Sequence, residues 1–412
     1  MIQHGPSRRA FLAAGAAATA FGSAPGVALA QDAMTLLFRE GRYVPRYALG
    51  AAGPGLSFVQ FAAFVGDEKT ALGGQMFPPA DVETLGEKAE AEDAIHRIVR
   101  EAEGRRIVML NEAHSVSRHR MFLVQLLRAL RPMGFTHLAV ETFNNDGSSS
   151  NGAAQFRVTQ RFAPNDGTYS WDPVFAEAIR EAADLGYGFI GYEQREGQSG
   201  QDGESPIAAR EAAQATNLLG ALNALPTSAR VIIYVGFSHL RETPDRRNNI
   251  WLAQRLRGLA DQDPLTIEQS ATGSFEPFGE SSATTKAVFD RFPRQAAVIV
   301  QDGDEVIGAA PRGADLAVFH PPLPSIADRP GWLAADPERR RVDVALPAEA
   351  RPTIALIQAV HAKDDAPQVP ADQYLLKADD VGQATLFLRP GSYLIRMETV
   401  NGFQAITELL VP

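Results

Sequence analysis

The sequence predicts an α/β protein: a mostly parallel sheet with helices on both faces, followed by a small C-terminal antiparallel β-sandwich. Three observations predict it. From Arg106 to about Ile267, short continuous apolar runs alternate with amphipathic helical stretches, the pattern of strands buried on both faces and joined by helical crossovers. Beyond residue 341 the apolar period falls to two, as in antiparallel strands with one exposed face. Pro390-Gly391 and Asn401-Gly402 punctuate that last region as turns.

The elements follow in order. Residues 31 to about 90 read as loops and short elements, with an apolar patch around Phe58-Val59-Gln60-Phe61 and a break at Pro78-Pro79. Ala89 to Glu103 reads as a helix, with Ile95, Ile98 and Val99 on one face. Ile107-Val108-Met109-Leu110 is the first buried strand, and Arg118 to Leu130 the helix behind it, with Leu123, Leu127 and Leu130 spaced by three and four. His137-Leu138-Ala139-Val140 is the second strand. A Gly/Ser/Asn-rich loop runs from Asn144 to Gly152. Asp172-Pro173 opens the next helix, since Asp is a good N-cap and Pro suits the first helical position. Gly188 to Tyr192 is the third strand. Ser205-Pro206 opens a helix to about Leu225, Val231 to Val235 is the fourth strand, Asn249 to Leu259 a helix, and Leu265-Thr266-Ile267 the fifth strand. Ala297-Val298-Ile299-Val300 and Leu316-Ala317-Val318-Phe319 are expected as edge strands closing this domain. The expected boundaries are an α/β domain over 31–327, a linker over 328–340 and the β-sandwich over 341–412, with Val342, Val344, Leu356, Leu386, Leu388, Leu394 and Ile395 as its candidate core or strand residues.

Composition narrows the function. The 412 residues suit two or three domains at roughly 150 residues each. A chain with 45% hydrophobic and 21% charged residues is not a mostly disordered one. The net charge of -10 argues against a nucleic-acid partner, which needs basic surface against phosphates. The absence of cysteine removes disulfides, thiolate zinc sites, iron–sulfur clusters and cysteine nucleophiles. It also suits an oxidising compartment.

The first thirty residues read as an address. Ser7-Arg8-Arg9-Ala10-Phe11-Leu12 resembles the twin-arginine export signature. Small and apolar residues follow from Ala13 to Val27, and Ala28-Leu29-Ala30 offers a signal-peptidase site. The run is too short, too weakly apolar and too broken by Pro25 to span roughly 30 Å of hydrocarbon. Residues 1–30 are therefore expected to be a cleaved twin-arginine signal peptide, and the mature chain periplasmic or secreted with no transmembrane segment.

In open parallel α/β sheets, ligands bind at the carboxyl ends of the strands. Four strands here end in residues with chemistry: Asn111-Glu112-Ala113-His114 after the first, Glu141-Thr142-Phe143 after the second, Glu193 after the third, and Gly236-Phe237-Ser238-His239 after the fourth. His119, five residues past His114, can turn back to the same edge. Any one of these alone is most simply a cap, a salt-bridge partner or a solvated loop residue; together they mark a site. His137 begins a strand at the opposite edge and reads as structural, as do His96 and His361, while His320 is undetermined. Glu112, His114, Glu141 and His239 are the candidate catalytic residues, acting by general acid–base hydrolysis. The same four are ligand types for a divalent metal, whose bound water is a nucleophile at neutral pH. His119 or a tyrosine is a ligand type for haem iron. A serine nucleophile is disfavoured, because Gly236-Phe237-Ser238-His239-Leu240 departs from Gly-x-Ser-x-Gly. No nucleoside-triphosphate loop is present.

These residues resemble the superfamily joining erythromycin esterases, ChaN-like haem-uptake proteins and TIKI/TraB proteins. His114 and His119 keep the ChaN-like five-residue spacing, and Glu141 with Phe143 matches its Glu-x-Phe. Arg210-Glu211 with Asn217 resembles the Arg-acid helix that precedes the last His strand. The likeness covers roughly residues 100 to 270. Asn111 stands where the family has Gly, and Ser115 where ChaN-like members often have an acid. The resemblance implies a hydrolase or a periplasmic haem- or iron-binding protein, with a small-molecule or peptide ligand. It places Arg210 near the site to bind an anion or hold a carboxylate. His119, Glu193 and Arg210 are expected as ligand-binding residues, Glu193 from its place at a strand end. Replacing His239 with alanine is expected to abolish function at no cost in stability.

Overall fold

A computed structural model of the chain describes residues 33–50 apart from 34 and 38, 56–73, 84–145, 153, 156, 162–260 apart from 199 and 201–204, 263–346 apart from 274, 354–362, 367–376 and 382–412. The signal-peptide reading of residues 1–30 and the Pro78-Pro79 break lie outside the described residues. Among the described residues, 33, 35–37, 39 and 40 are helical, and three short helices follow them: α1 (Val44–Gly50), α2 (Leu56–Phe64) and α3 (Glu68–Gly73).

Ala89–Asp93 is a strand, β1, and only then does helix α4 (Ala94–Glu101) begin. The expected helix over Ala89–Glu103 is thus corrected at its start. Alanine and glutamate favour a helix locally, but tertiary pairing overrides that propensity. Here β1 pairs antiparallel with β7 (Val298–Asp302). Asp93 then caps α4, its carboxylate accepting from the His96 N–H.

The central sheet follows the expected alternation. It contains β2 (Ile107–Glu112), β3 (Phe135–Val140), β4 (Gly188–Gly191), β5 (Arg230–Gly236), β6 (Leu265–Glu268) and β9 (Leu316–Ala317), all parallel, in the order β4-β3-β5-β2-β6-β9. Helices α5 (Arg118–Leu130), α6 (Pro173–Asp184), α7 (Pro206–Ala224) and α8 (Leu252–Ala260) link the strands, and α9 (Ala283–Arg291) follows β6. Alternate residues of one strand feed opposite faces. Val108 and Leu110 join Leu123, Leu127 and Phe175 from α5 and α6. Ile107 and Met109 join Leu218 and Leu222 from α7 and Leu256 from α8. Both faces are therefore sealed, which is why the strands read as continuous apolar runs. The caps predicted for α6 and α7 are present: Asp172 accepts from Val174 N–H and Ser205 from Ala208 N–H.

Leu316–Ala317 is the expected edge strand of this sheet. Val298–Asp302 is not; it joins β1 and β8 (Glu305–Val306) in a separate antiparallel sheet, because the edge of β1 offers it an uninterrupted ladder.

The segment 328–340 carries helix α10 (Gly331–Ala334) and ion pairs that fix it, Asp336 to Arg128 and Arg329 to Asp372. Beyond it, β10 (Arg340–Ala345) pairs with β13 (Gln383–Leu388), and β11 (Ala355–His361), β12 (Asp372–Leu376), β14 (Gly391–Thr399) and β15 (Gly402–Val411) form a second antiparallel sheet ordered β12-β11-β14-β15. Val344, Ile357, Leu386, Leu388 and Ile395 share one core between the two sheets. Val342 is only partly buried beside it, and Leu394 is half-buried. Leu356 points the other way, into a cluster with Tyr43, Phe61, Phe64 and Trp171. Backbone groups bind across the seam: Gln373 Nε2 donates to Phe64 O at 2.7 Å, and Val44 N donates to Glu398 Oε1 at 2.8 Å. Among the described residues no helix is long and apolar enough to cross a membrane.

Candidate active site

The strand order decides which ends meet. After β3 the chain steps outward to β4; after β5 it steps the other way, to β6. β3 and β5 are neighbours, and between the carboxyl ends of such a pair an open α/β sheet places its binding crevice. Glu141 follows β3, and Gly236 and His239 follow β5. Glu112 ends β2 in register with Gly236. Glu193 follows β4 on the far side of Glu141.

Glu112 is the most constrained of these residues. Arg120 donates to it twice, from Nε at 2.7 Å and from Nη2 at 3.0 Å, and the Tyr234 hydroxyl donates at 3.1 Å. Burial pushes its carboxyl up, but the Arg120 charge and the His114 hydrogen bond outweigh burial and bring it down to about 2. The carboxylate therefore accepts from His114 Nδ1 at 2.7 Å, which puts a ring proton on Nδ1. The ring stacks on Tyr169, with centroids 3.7 Å apart and planes 9° apart, and meets the Phe237 ring edge-on at 5.2 Å.

Gly236 lets the two halves of the site touch. A Cβ there would lie 2.3 Å from His114 Cε1, 2.5 Å from its Nε2 and 2.9 Å from Glu141 Oε2. Only a residue without a side chain fits between them. Glu141 accepts from Gly236 N–H at 2.6 Å and from Arg210 Nη2 at 2.6 Å. Burial raises its carboxyl, and the charges of His239 and Arg210 carry it well below the usual range.

The turn Phe237–Leu240 brings His239 back over the edge. Phe237 adopts φ 30° there, a strained conformation for a side-chain-bearing residue. Asn111 Nδ2 donates to its carbonyl at 3.1 Å and fixes the turn. His239 Nδ1 lies 2.7 Å from Glu211, and its Nε2 lies 3.4 Å from Glu141 and 3.1 Å from Arg210 Nη1. Burial lowers the ring, and Glu211 and Glu141 overcome it to hold the ring up at about 9. Arg210 also binds Glu193, with Nε donating at 2.9 Å.

Glu112, His114, Glu141 and His239 thus form one continuous set, with Arg210 and Glu193 at its outer end. The first four are buried, while the Arg210 and Glu193 side chains keep 17% and 19% exposure, so solvent reaches the set from their side. His119 lies elsewhere. Its Nδ1 accepts from Ala113 N–H at 3.0 Å and its ring packs on His320. It is fully buried and lowered by burial to about 3, a neutral ring that holds the loop together. His320 is buried there too, bonded to Gln269 at 2.9 Å. His137 and His361 take structural contacts, with Thr136 and Glu177.

Sequence reasoning did not place Arg120, Asp172, Tyr234 or Tyr169 at the site, and it missed Glu268, a fourth strand-end carboxylate, bound by Arg312 and Asn111. Arg120 is hidden in a helix read by its leucines, and Tyr234 in an apolar strand. The donor set does not fit a divalent metal. The Glu112 and Glu141 oxygens are engaged by arginines, a tyrosine and a backbone N–H, and among the described residues no group of three His, Asp or Glu is placed to hold an ion. Nor does fully buried His119 offer haem iron a nitrogen.

No family model matches the chain, and no curated protein does. Its fold is similar in part to solved toxin and effector structures. RRSP, a MARTX toxin effector domain from Vibrio vulnificus CMCP6, is 14% identical over 40% of this chain and 34% of that one, at a TM-score of 0.31. The C-terminal region of Pasteurella multocida toxin is 12% identical over 53% and 27%, at 0.29. The type III effector HopBA1 is 16% identical over 47% and 89%, at 0.29. The chain spans about a third of the first of these. Likenesses at this level do not bear on chemistry.

Proposed function

We propose that the protein is an exported hydrolase acting by general acid–base catalysis on a small-molecule or peptide ligand. The observation that carries this is the Glu112–His114 dyad that meets Glu141 across Gly236, with His239 on the other side of Glu141 at 3.4 Å. Arg120 keeps Glu112 ionised, and Glu112 keeps the proton on His114 Nδ1. His114 Nε2 then takes a proton from a water in the crevice, and the oxygen of that water attacks the substrate carbonyl carbon. Arg210 balances charge on the carbonyl oxygen. His239, protonated at neutral pH, gives its proton to the leaving group as the ester or amide bond breaks.

The test uses p-nitrophenyl acetate and fluorescein-labelled casein as probes. The wild type is expected to turn over at least one, and His114→Gln to lower kcat by about 10²–10⁴-fold. A folded wild type inert on both, or an undiminished His114→Gln, overturns the reading. Export rests on the Ser7–Leu12 stretch. Lysine at both Arg8 and Arg9 is expected to retain the protein in the cytoplasm; normal periplasmic amounts of that variant refute twin-arginine export.

A further inference from the structure

Past His114, the same loop runs through Val116 and Ser117 into α5, whose first residue is Arg118. Arg118 is 8% exposed. It lines a small cleft with Glu68, Leu72, Phe275, Phe278 and Trp332, which has room for about one water-sized body. The other buried arginines have counter-ions: Arg120 meets Glu112 and Asp172, Arg180 meets Glu177, and Arg329 meets Asp372. Among the described residues, none takes a hydrogen bond or an ion pair from Arg118. An arginine does not shed its proton to escape such a position, and an uncompensated buried charge is costly.

Two carboxyls, Glu68 and Glu276, also line the cleft, and neither fills the role. Burial raises Glu68 to about 8, so it is neutral at pH 7. Glu276 is 45% exposed and faces Lys286. The field of Arg118 adds to burial in lowering His119 and His320, as an uncancelled positive charge does. A single guanidinium in a cleft walled by Leu72, Phe275, Phe278 and Trp332, with Glu68 neutral, Glu276 facing Lys286 and so little room, selects for charge one and small size. We propose that this cleft binds a small monovalent anion of chloride size, with Arg118 as its counter-charge.

The test compares the full mature chain in sodium chloride and sodium gluconate at equal ionic strength, and measures the ³⁵Cl line width in its presence. The wild type is expected to melt about 2 °C higher in chloride and to broaden the ³⁵Cl signal. Arg118→Met is expected to lose both effects. If Arg118→Met does not fold, Arg118→Lys, which keeps the charge without the planar fork, is expected to retain broadening of reduced size. Equal melting in the two salts without broadening overturns the proposal, as does broadening undiminished in Arg118→Met or enhanced in Arg118→Lys.

Discussion

Replacing Arg120 with methionine is expected to cost the fold about 3–5 kcal/mol, the range for stripping one partner from a buried charge cluster. The chemistry of the replacement explains the size. Methionine roughly fills the volume between Phe64 and Phe175, whose rings lie 5.5 and 5.2 Å from the guanidinium carbon. It supplies no charge. Glu112 loses two hydrogen bonds and its main counter-ion, and Asp172 loses its ion pair while keeping Val174 N–H. Adding Glu112→Gln to Arg120→Met is expected to recover part of the loss, because a neutral amide needs no counter-charge. Denaturant titration of the two variants reads both. A loss under about 1 kcal/mol for Arg120→Met would mean that the cluster is not held as described.

The strand ends were legible because chemistry-bearing residues interrupt apolar runs at one end only. Glu112, Glu141, Glu193 and His239 each stand just past such a run. The caps at Asp172 and Ser205 were legible for the same local reason. What sequence does not hold is the order of strands. Glu141 and His239 are 98 positions apart by number yet 3.4 Å apart in space, because β3 and β5 are neighbours. The same order makes Gly236 the contact point of His114 and Glu141. Helix periodicity showed where α5 is buried but not that Arg120 points inward with its leucines. Pairing with β7 was equally invisible, and so Ala89–Asp93 looked helical. The strand Asp372–Leu376 was missed because Asp372 and Gln373, its first residues, are polar; they are buried making bonds to Arg329 and Phe64 O.

The effect of His239→Ala on stability reverses once the contacts are known. A functional cluster held at the expense of the fold gains stability when a member is removed; His239 instead lies between two buried carboxylates, Glu211 and Glu141. Removing it leaves them facing each other with Arg210 alone between. The sign with pH follows from the raised ring. Its folded value, about 9, exceeds the ordinary 6.5, so its contribution is fully present below about pH 6.5 and fades as pH rises through 9. His239→Ala is therefore expected to be less stable than the wild type by about 2–4 kcal/mol at pH 6. The gap is expected to narrow steadily towards pH 10. Hydrolysis is expected to fall by about 10²–10⁴-fold, with the largest loss on substrates whose leaving group most needs a proton. Paired denaturation curves at pH 6 and pH 10, with rates on esters of graded leaving-group acidity, separate the two roles. A gap that stays constant with pH would assign the loss to packing. Equal rate losses across the leaving groups would remove His239 as the proton donor while leaving the Glu112–His114 dyad in place.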